Sequence, residues 1–344
     1  MMGATGLRTH IWNNNLKSLL LLAGFPLLLS MIAFAAALLI GGVSDGTGGS
    51  YSKDGQYVGG GGAIDWGGAL EAWPSMLVVS AVVAGIWFVI AWFGHQAMID
   101  AATGAHKVER SDEPELYNLL ENLCISRGIT MPSLRIIERP EMNAFASGLT
   151  EKQYTVTVTR GLMQSLDKDE LEAVLAHELS HIRHKDVRLL VISVIFVGIF
   201  SFLAQIAFRA LFHGAFMRVG SSRRGNGGNA IIIVLIAVAI VAVAYGLAIA
   251  IRFALSRKRE YMADAGAVEL TRNPDAMIGA LEKISGHAAI EDAPDGVREM
   301  MLENPHTGFA GWFATHPPIE KRIEALIDYA GGERRIPQSA VPQV

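Results

Sequence analysis

Cysteine is almost missing from this chain. Its 344 residues include one, Cys124, so no intramolecular disulfide can form, which fits a reducing compartment. Charge is scarce as well. Asp, Glu, Lys and Arg together make up 18% of the chain, and the net charge of −4 is too small to imply a nucleic-acid partner. The scarcity is uneven. Four windows, 19–40, 72–99, 189–208 and 230–251, contain no Asp, Glu, Lys or Arg at all. At about 1.5 Å per helical residue, each can cross roughly 30 Å of hydrocarbon. One such window is also what a buried core helix looks like, but four in one chain exclude an ordinary soluble protein. The same lack of charge argues against an ion-conducting transporter, since His95 is the only titratable group of that kind in the windows.

What is present is mostly apolar: 51% hydrophobic residues, with a mean hydropathy of +0.32. The first window exceeds the roughly 7–15 residues of a signal-peptide apolar region. It runs into Gly41-Gly42-Val43-Ser44-Asp45 with no clean small-residue cleavage site, so it is expected to be a retained anchor.

The windows divide the chain. Residues 1–99 are expected to hold a polar arm, with Arg8 and Lys17, and two transmembrane helices. The loop joining these helices, 42–71, is rich in Gly and Ser, includes Gly59 to Gly62, and is expected to be flexible. Residues 100–187 are soluble. Within them 111–126 reads as a helix, with Leu116, Leu119, Leu120 and Leu123 on one face, and 134–137 and 154–159 read as strands. Residues 188–251 form an apolar hairpin, 252–328 a second soluble part, and 329–344 a disordered tail.

An even number of spans places both soluble parts on one side. The first loop carries Lys53 against Asp45, Asp54, Asp65 and Glu71, so it reads as external. The hairpin's flanks carry Arg183, Lys185, Arg188, Arg252, Arg257, Lys258 and Arg259, against Arg209, Arg218, Arg223 and Arg224 at its tip. The balance puts the soluble parts inside, and the basic tip leaves open a hairpin that embeds only partway.

The chemistry lies in His177-Glu178-Leu179-Ser180-His181. On a helix, residues four apart share a face, so the two imidazoles stand about 6 Å apart, within reach of one metal ion. Glu178 adjoins the first, where a carboxylate can take a proton from water at the metal. This is the HExxH pattern of zinc metallopeptidases. Asp167 and Glu170 form a capping-box pair upstream, and Leu171, Val174 and Leu175 follow at helical spacing. The bland alternative is a surface helix with two solvated histidines.

A catalytic zinc site takes three protein ligands and keeps one position open. A glycine and a further histidine at the positions of His184 and Val187 would complete one known pattern, and neither is there. His184 is about two turns from His177, too far for the same ion, and reads as an interfacial histidine. A carboxylate is the other source. Glu260 and Asp264 are four apart on a helix that follows the hairpin. Glu260 can supply a third ligand and Asp264 can accept a hydrogen bond from a ligand histidine. The spacing alone also suits an acidic face on a surface helix.

His177–His181, an apolar hairpin, and then Ser256-Arg257-Lys258-Arg259-Glu260-Tyr261-Met262-Ala263-Asp264 together resemble the HtpX-type membrane metallopeptidases, relatives of the CAAX prenyl endopeptidase. Asn143-Ala144-Phe145-Ala146-Ser147-Gly148, and Thr315-His316-Pro317-Pro318 with Arg322-Ile323, match too, so the likeness covers nearly the whole chain. The resemblance implies a multi-pass α+β membrane protein, mostly helical, with a zincin-like domain made of the HExxH helix and a small sheet. It implies one Zn2+ per chain held by His177, His181 and Glu260, with Glu178 as catalytic base. It also implies quality-control proteolysis of membrane proteins during stress, in a bacterial inner membrane, with the active site facing the cytoplasm.

Further roles follow from the residues. Asn143, Ala144 and Phe145 read as an edge strand to which an extended substrate can add its backbone, or else as an ordinary core strand. His316, held extended before Pro317, suits an oxyanion donor or a structural loop histidine. Arg322 is a candidate substrate contact, or a partner for a carboxylate. The rival functions are a narrow-specificity peptidase of the CAAX type and a zinc-binding membrane scaffold without turnover.

Overall fold

The computed structural model describes residues 24, 26–34, 50–51, 57–58, 66–192, 238, 257–285, 287–288, 301–302 and 317–334. The chain forms two compact units. One comprises Leu19–Ala91 and Ile195–Ile251; the other comprises Met1–Ser18, Trp92–Val194 and Arg252–Val344.

In the first unit, residues 26–34 are helical, and two short strands, β1 (Ser50–Tyr51) and β2 (Tyr57–Val58), pair antiparallel. Helix α1 spans Trp66–Thr103. The expected flexible loop is therefore partly built: it carries the β1–β2 ribbon, and α1 begins inside it at Trp66. Val78, Val82, Ile86 and Ile90 are all exposed on α1. A core helix would bury such side chains, whereas a helix apolar all round is suited to lipid. The stretch Leu70–Thr103 is the one candidate membrane span among the described residues. Most of the hairpin expected over 188–251 lies outside the described residues.

The second unit starts with the last turns of α1. Gln153 Nε2 donates to Trp92 O at 2.9 Å, Ser147 Oγ donates to Gln96 Oε1 at 2.7 Å, and Arg135 pairs with Asp100 at 2.6 Å. This unit thus takes in about two turns of α1 before Asp100. A sheet of order β3-β4-β6-β5 follows, made of β3 (His106–Lys107), β4 (Ser133–Ile137), β5 (Ala144–Ser147) and β6 (Thr155–Thr159). β4 and β6 run parallel, and β5 pairs antiparallel with β6 from Ala144↔Val158 to Ser147↔Thr155. The Thr/Val alternation of β6 is buried throughout, because the strand is central. β5 is the edge, and Gly148, with φ +124, ends it.

Helix α2 (Pro114–Arg127) buries Leu116, Leu119, Leu120 and Leu123 as the periodicity predicts. It starts later than Ser111, because Asp112 and Glu109 close a turn and Pro114 takes the first helical position. After α3 (Arg160–Ser165) comes α4 (Lys168–His184). This helix packs against α2, β5, β6, α5 (Arg257–Thr271) and α6 (Pro274–Ile284), and Val174, Leu175 and Leu179 are fully buried. Each such side chain stabilises the fold by about 1.5–3 kcal/mol. Helix α7 (Ile319–Ala330) closes the unit over α5 and α6. The expected tail is ordered at its start: Gly331 caps α7 in the left-handed region, and Glu333 N donates to Asp275 Oδ1 at 2.7 Å.

Candidate metal centre

The centre is built on α4. Asp167 accepts from Glu170 N at 2.9 Å, and Glu170 returns the bond to Asp167 N at 2.8 Å, a complete capping box that fixes where the helix starts. From that start the helical repeat carries His177 and His181 onto one face, with their Nε2 atoms 3.2 Å apart. Both are buried, so the picture of a surface helix with solvated histidines does not hold. Glu260 arrives from α5, with Oε2 3.6 Å from His177 Nε2 and Oε1 3.6 Å from His181 Nε2. Two zinc ligands at about 2.1 Å in a tetrahedral arrangement stand about 3.4 Å from each other. The observed separations match that figure, so these three residues fit a zinc ion. Among the described residues they form the group of ligand atoms able to hold a metal.

Glu260 reaches the histidines because α5 lies very close to α4. A Cβ placed on Gly266 would stand 2.0 Å from Ser180 Oγ. Only glycine permits that approach. His184 is buried at the same contact, with Nδ1 3.4 Å from Ser180 Oγ. It is thus an interfacial residue, separate from the His177–His181–Glu260 group.

A second layer surrounds the first. Asp264 Oδ1 lies 2.9 Å from His177 Nδ1. Arg322, only 1% exposed, grips both oxygens of Asp264 at 2.9 and 2.6 Å and donates to Leu302 O at 3.2 Å. The guanidinium is therefore directed at a carboxylate inside the protein. Burial opposes the charge on Asp264, but Arg322 and His177 outweigh it and hold its carboxyl below the usual range. Burial likewise opposes a proton on His177, yet the neighbouring carboxylates of Asp264 and Glu260 push it up to about 9. Burial pushes the Glu178 carboxyl up, against the lowering pull of His177 and His181. Glu178 lines a small cleft together with Ala146, His177, His181, Glu260, Met301 and Leu302.

The edge strand places one position at the cleft that the sequence analysis did not name. Asn143 O accepts from Thr159 N, so Asn143, Phe145 and Ser147 turn their backbone toward β6, while Ala144 and Ala146 turn theirs outward. Leu302 N bonds Ala144 O at 2.8 Å and Asn143 Oδ1 at 2.9 Å, and Asn143 Nδ2 donates to Ala288 O at 2.8 Å. The chain's own residues thus take the Asn143 and Ala144 positions expected for substrate, and Phe145 is buried. Ala146, one residue past the expected set, is the outward-facing position at the cleft. The strand's alternation was the signal that could have singled it out. His316 lies outside the described residues.

The model of peptidase family M48 matches residues 110–330. The Protease HtpX homolog of Bacteroides fragilis is 42% identical over 339 residues, covering 94% of this chain and 99% of that one. That of Lactobacillus acidophilus is 36% identical over 253 residues, with 73% and 85% covered. That of Listeria monocytogenes is 39% identical over 274 residues, with 77% and 89% covered. The crystal structure of S. mikatae Ste24p overlays 75% of this chain and 58% of its own, at 20% identity and a TM-score of 0.41.

Proposed function

The chain belongs to peptidase family M48, and we propose that it is a membrane zinc endopeptidase in which His177, His181 and Glu260 hold one ion and Glu178 is the base. The observation that carries this reading is the convergence of those three side chains, with ligand atoms all within 4.8 Å of one another, beside a buried Glu178. A zinc ion bound there would polarise the scissile carbonyl and lower the pKa of water towards ~7.

The chain's own residues do the rest. Glu178 takes a proton from the attacking water and delivers it to the leaving amine. Its burial makes it a stronger base than a solvated glutamate. Asp264, held by Arg322, accepts the Nδ1 proton of His177 and so keeps Nε2 free to bind metal. An extended substrate adds to the outward-facing backbone of β5 at Ala146, beside the cleft.

The substrates in this reading are misfolded or damaged membrane proteins. The exposed apolar surface of α1 and the names of the relatives support a membrane setting. The further apolar windows and the basic flanks of the soluble parts support a multi-pass chain in a bacterial inner membrane, with the peptidase unit facing the cytoplasm.

The test is casein cleavage by full-length protein in detergent, stripped of metal and then given zinc. Glu178→Gln should bind zinc as wild type does and lose at least about a hundredfold in rate. Cleavage by the variant at the wild-type rate rules out Glu178 as the base. If both proteins bind one zinc and neither cleaves, the scaffold reading takes over.

A further inference from the structure

We propose that Asp186 positions His181 for metal binding, as the partner of its Nδ1 proton. The inference rests on the reading of His181 as a zinc ligand.

The geometry begins at the end of α4. Lys185 adopts the left-handed conformation, with φ 59 and ψ 23, and its N–H closes on Ile182 O at 3.1 Å. This conformation costs a residue with a side chain about 1–2 kcal/mol. The reversal it makes turns the next residue back along the helix it has just left. Asp186 Oδ2 comes to lie 3.4 Å from His181 Nδ1. Nε2 of the same ring faces His177 and Glu260, so Nδ1 is the nitrogen left to carry the proton. A carboxylate at that nitrogen selects the tautomer whose Nε2 lone pair points to the metal, and makes it a better donor.

Charge balance points the same way. Asp186 is 0% exposed, and a buried carboxylate needs compensating positive charge. Arg259 is 4% exposed on α5, directly before Glu260, and its Nε and Nη1 have no hydrogen-bond partner. Its favourable electrostatic partners are Asp186 and Glu260. Asp264 thus stands behind His177, and Asp186 behind His181. The competing structural role for Asp186 is as the first residue of the helical stretch 186–192. That role would affect stability but not the metal.

The experiment uses the full-length protein in detergent, stripped of metal and titrated with zinc against a chromogenic chelator. Asp186→Asn should weaken zinc binding about 10–100-fold. A variant that binds zinc within twofold of wild type, whether or not it melts lower, overturns the proposal and leaves Asp186 a helix start. Wild type that binds no zinc overturns this inference together with the ligand assignment, so the two failures are distinguishable. Should Asp186→Asn not fold, nitrogen NMR of histidine-labelled, zinc-loaded wild type decides. A strongly downfield, exchange-protected Nδ1 proton on His181, as a carboxylate partner produces, supports the proposal, and an Nδ1 proton with the shift and exchange rate of a water-bonded imidazole overturns it.

Discussion

Gly266 and Ser180 touch so closely that a single added methyl at Gly266 would stand 2.0 Å from Ser180 Oγ. This contact sets the distance between α4 and α5, and so the distance between the two histidines and Glu260. Gly266→Ala must push the helices apart or twist Ser180 away. Overpacking of this kind costs about 1–3 kcal/mol. The variant should melt lower and retain less zinc after dialysis, measured by metal analysis. Full zinc occupancy at an unchanged melting temperature would show that the helix spacing does not govern the site.

Arg322 tests whether a buried guanidinium serves the fold or the substrate. Arg322→Ala leaves the Asp264 carboxylate buried without its cation, a loss of about 3–5 kcal/mol. Arg322→Lys keeps the charge but cannot grip both oxygens, so it should fall between the variant and wild type. Thermal melts of the three proteins check the order. A rise in KM for casein with unchanged melts would instead make Arg322 a substrate contact.

Acidity should act on metal binding with a definite sign. In the metal-free protein His177 is raised from 6.5 to about 9 by Asp264 and Glu260, against the effect of its burial. The folded value lies above the unfolded one. The proton's contribution to stability is therefore fully present below pH 6.5 and is lost as pH climbs through about 9. Zinc must displace that proton, so its apparent affinity should rise about tenfold per pH unit towards pH ~9 and then level off. Chelator competition at a series of pH values reads this directly. Affinity that does not vary over that interval would mean His177 is neutral in the metal-free protein.

The local parts of the site could be read from the sequence. Asp167 and Glu170 lie three residues apart and form the capping box; His177 and His181 lie four apart and share a face. The leucines of α2 are buried as their spacing demands. The alternation of β6 marked a strand, although it gave no sign that both faces would be covered. That required knowing that β6 lies between β4 and β5.

What the sequence by itself determined is everything governed by neighbours one helical turn or one strand pleat away. This includes the HExxH face, the capping box, the charge-free windows and the alternating strands. The tertiary structure decided which distant groups meet. Glu260 was one of two readings of an acidic helix face until α5 packed on α4 through Gly266. Arg322 had two candidate roles by spacing, and only the packed fold brings it onto Asp264. Asn143 and Ala144 looked open until Leu302 bonded to them across the edge of β5. Such pairings join residues scores of positions apart, and no spacing rule encodes them. They arise from buried polar groups finding partners once the apolar faces have closed.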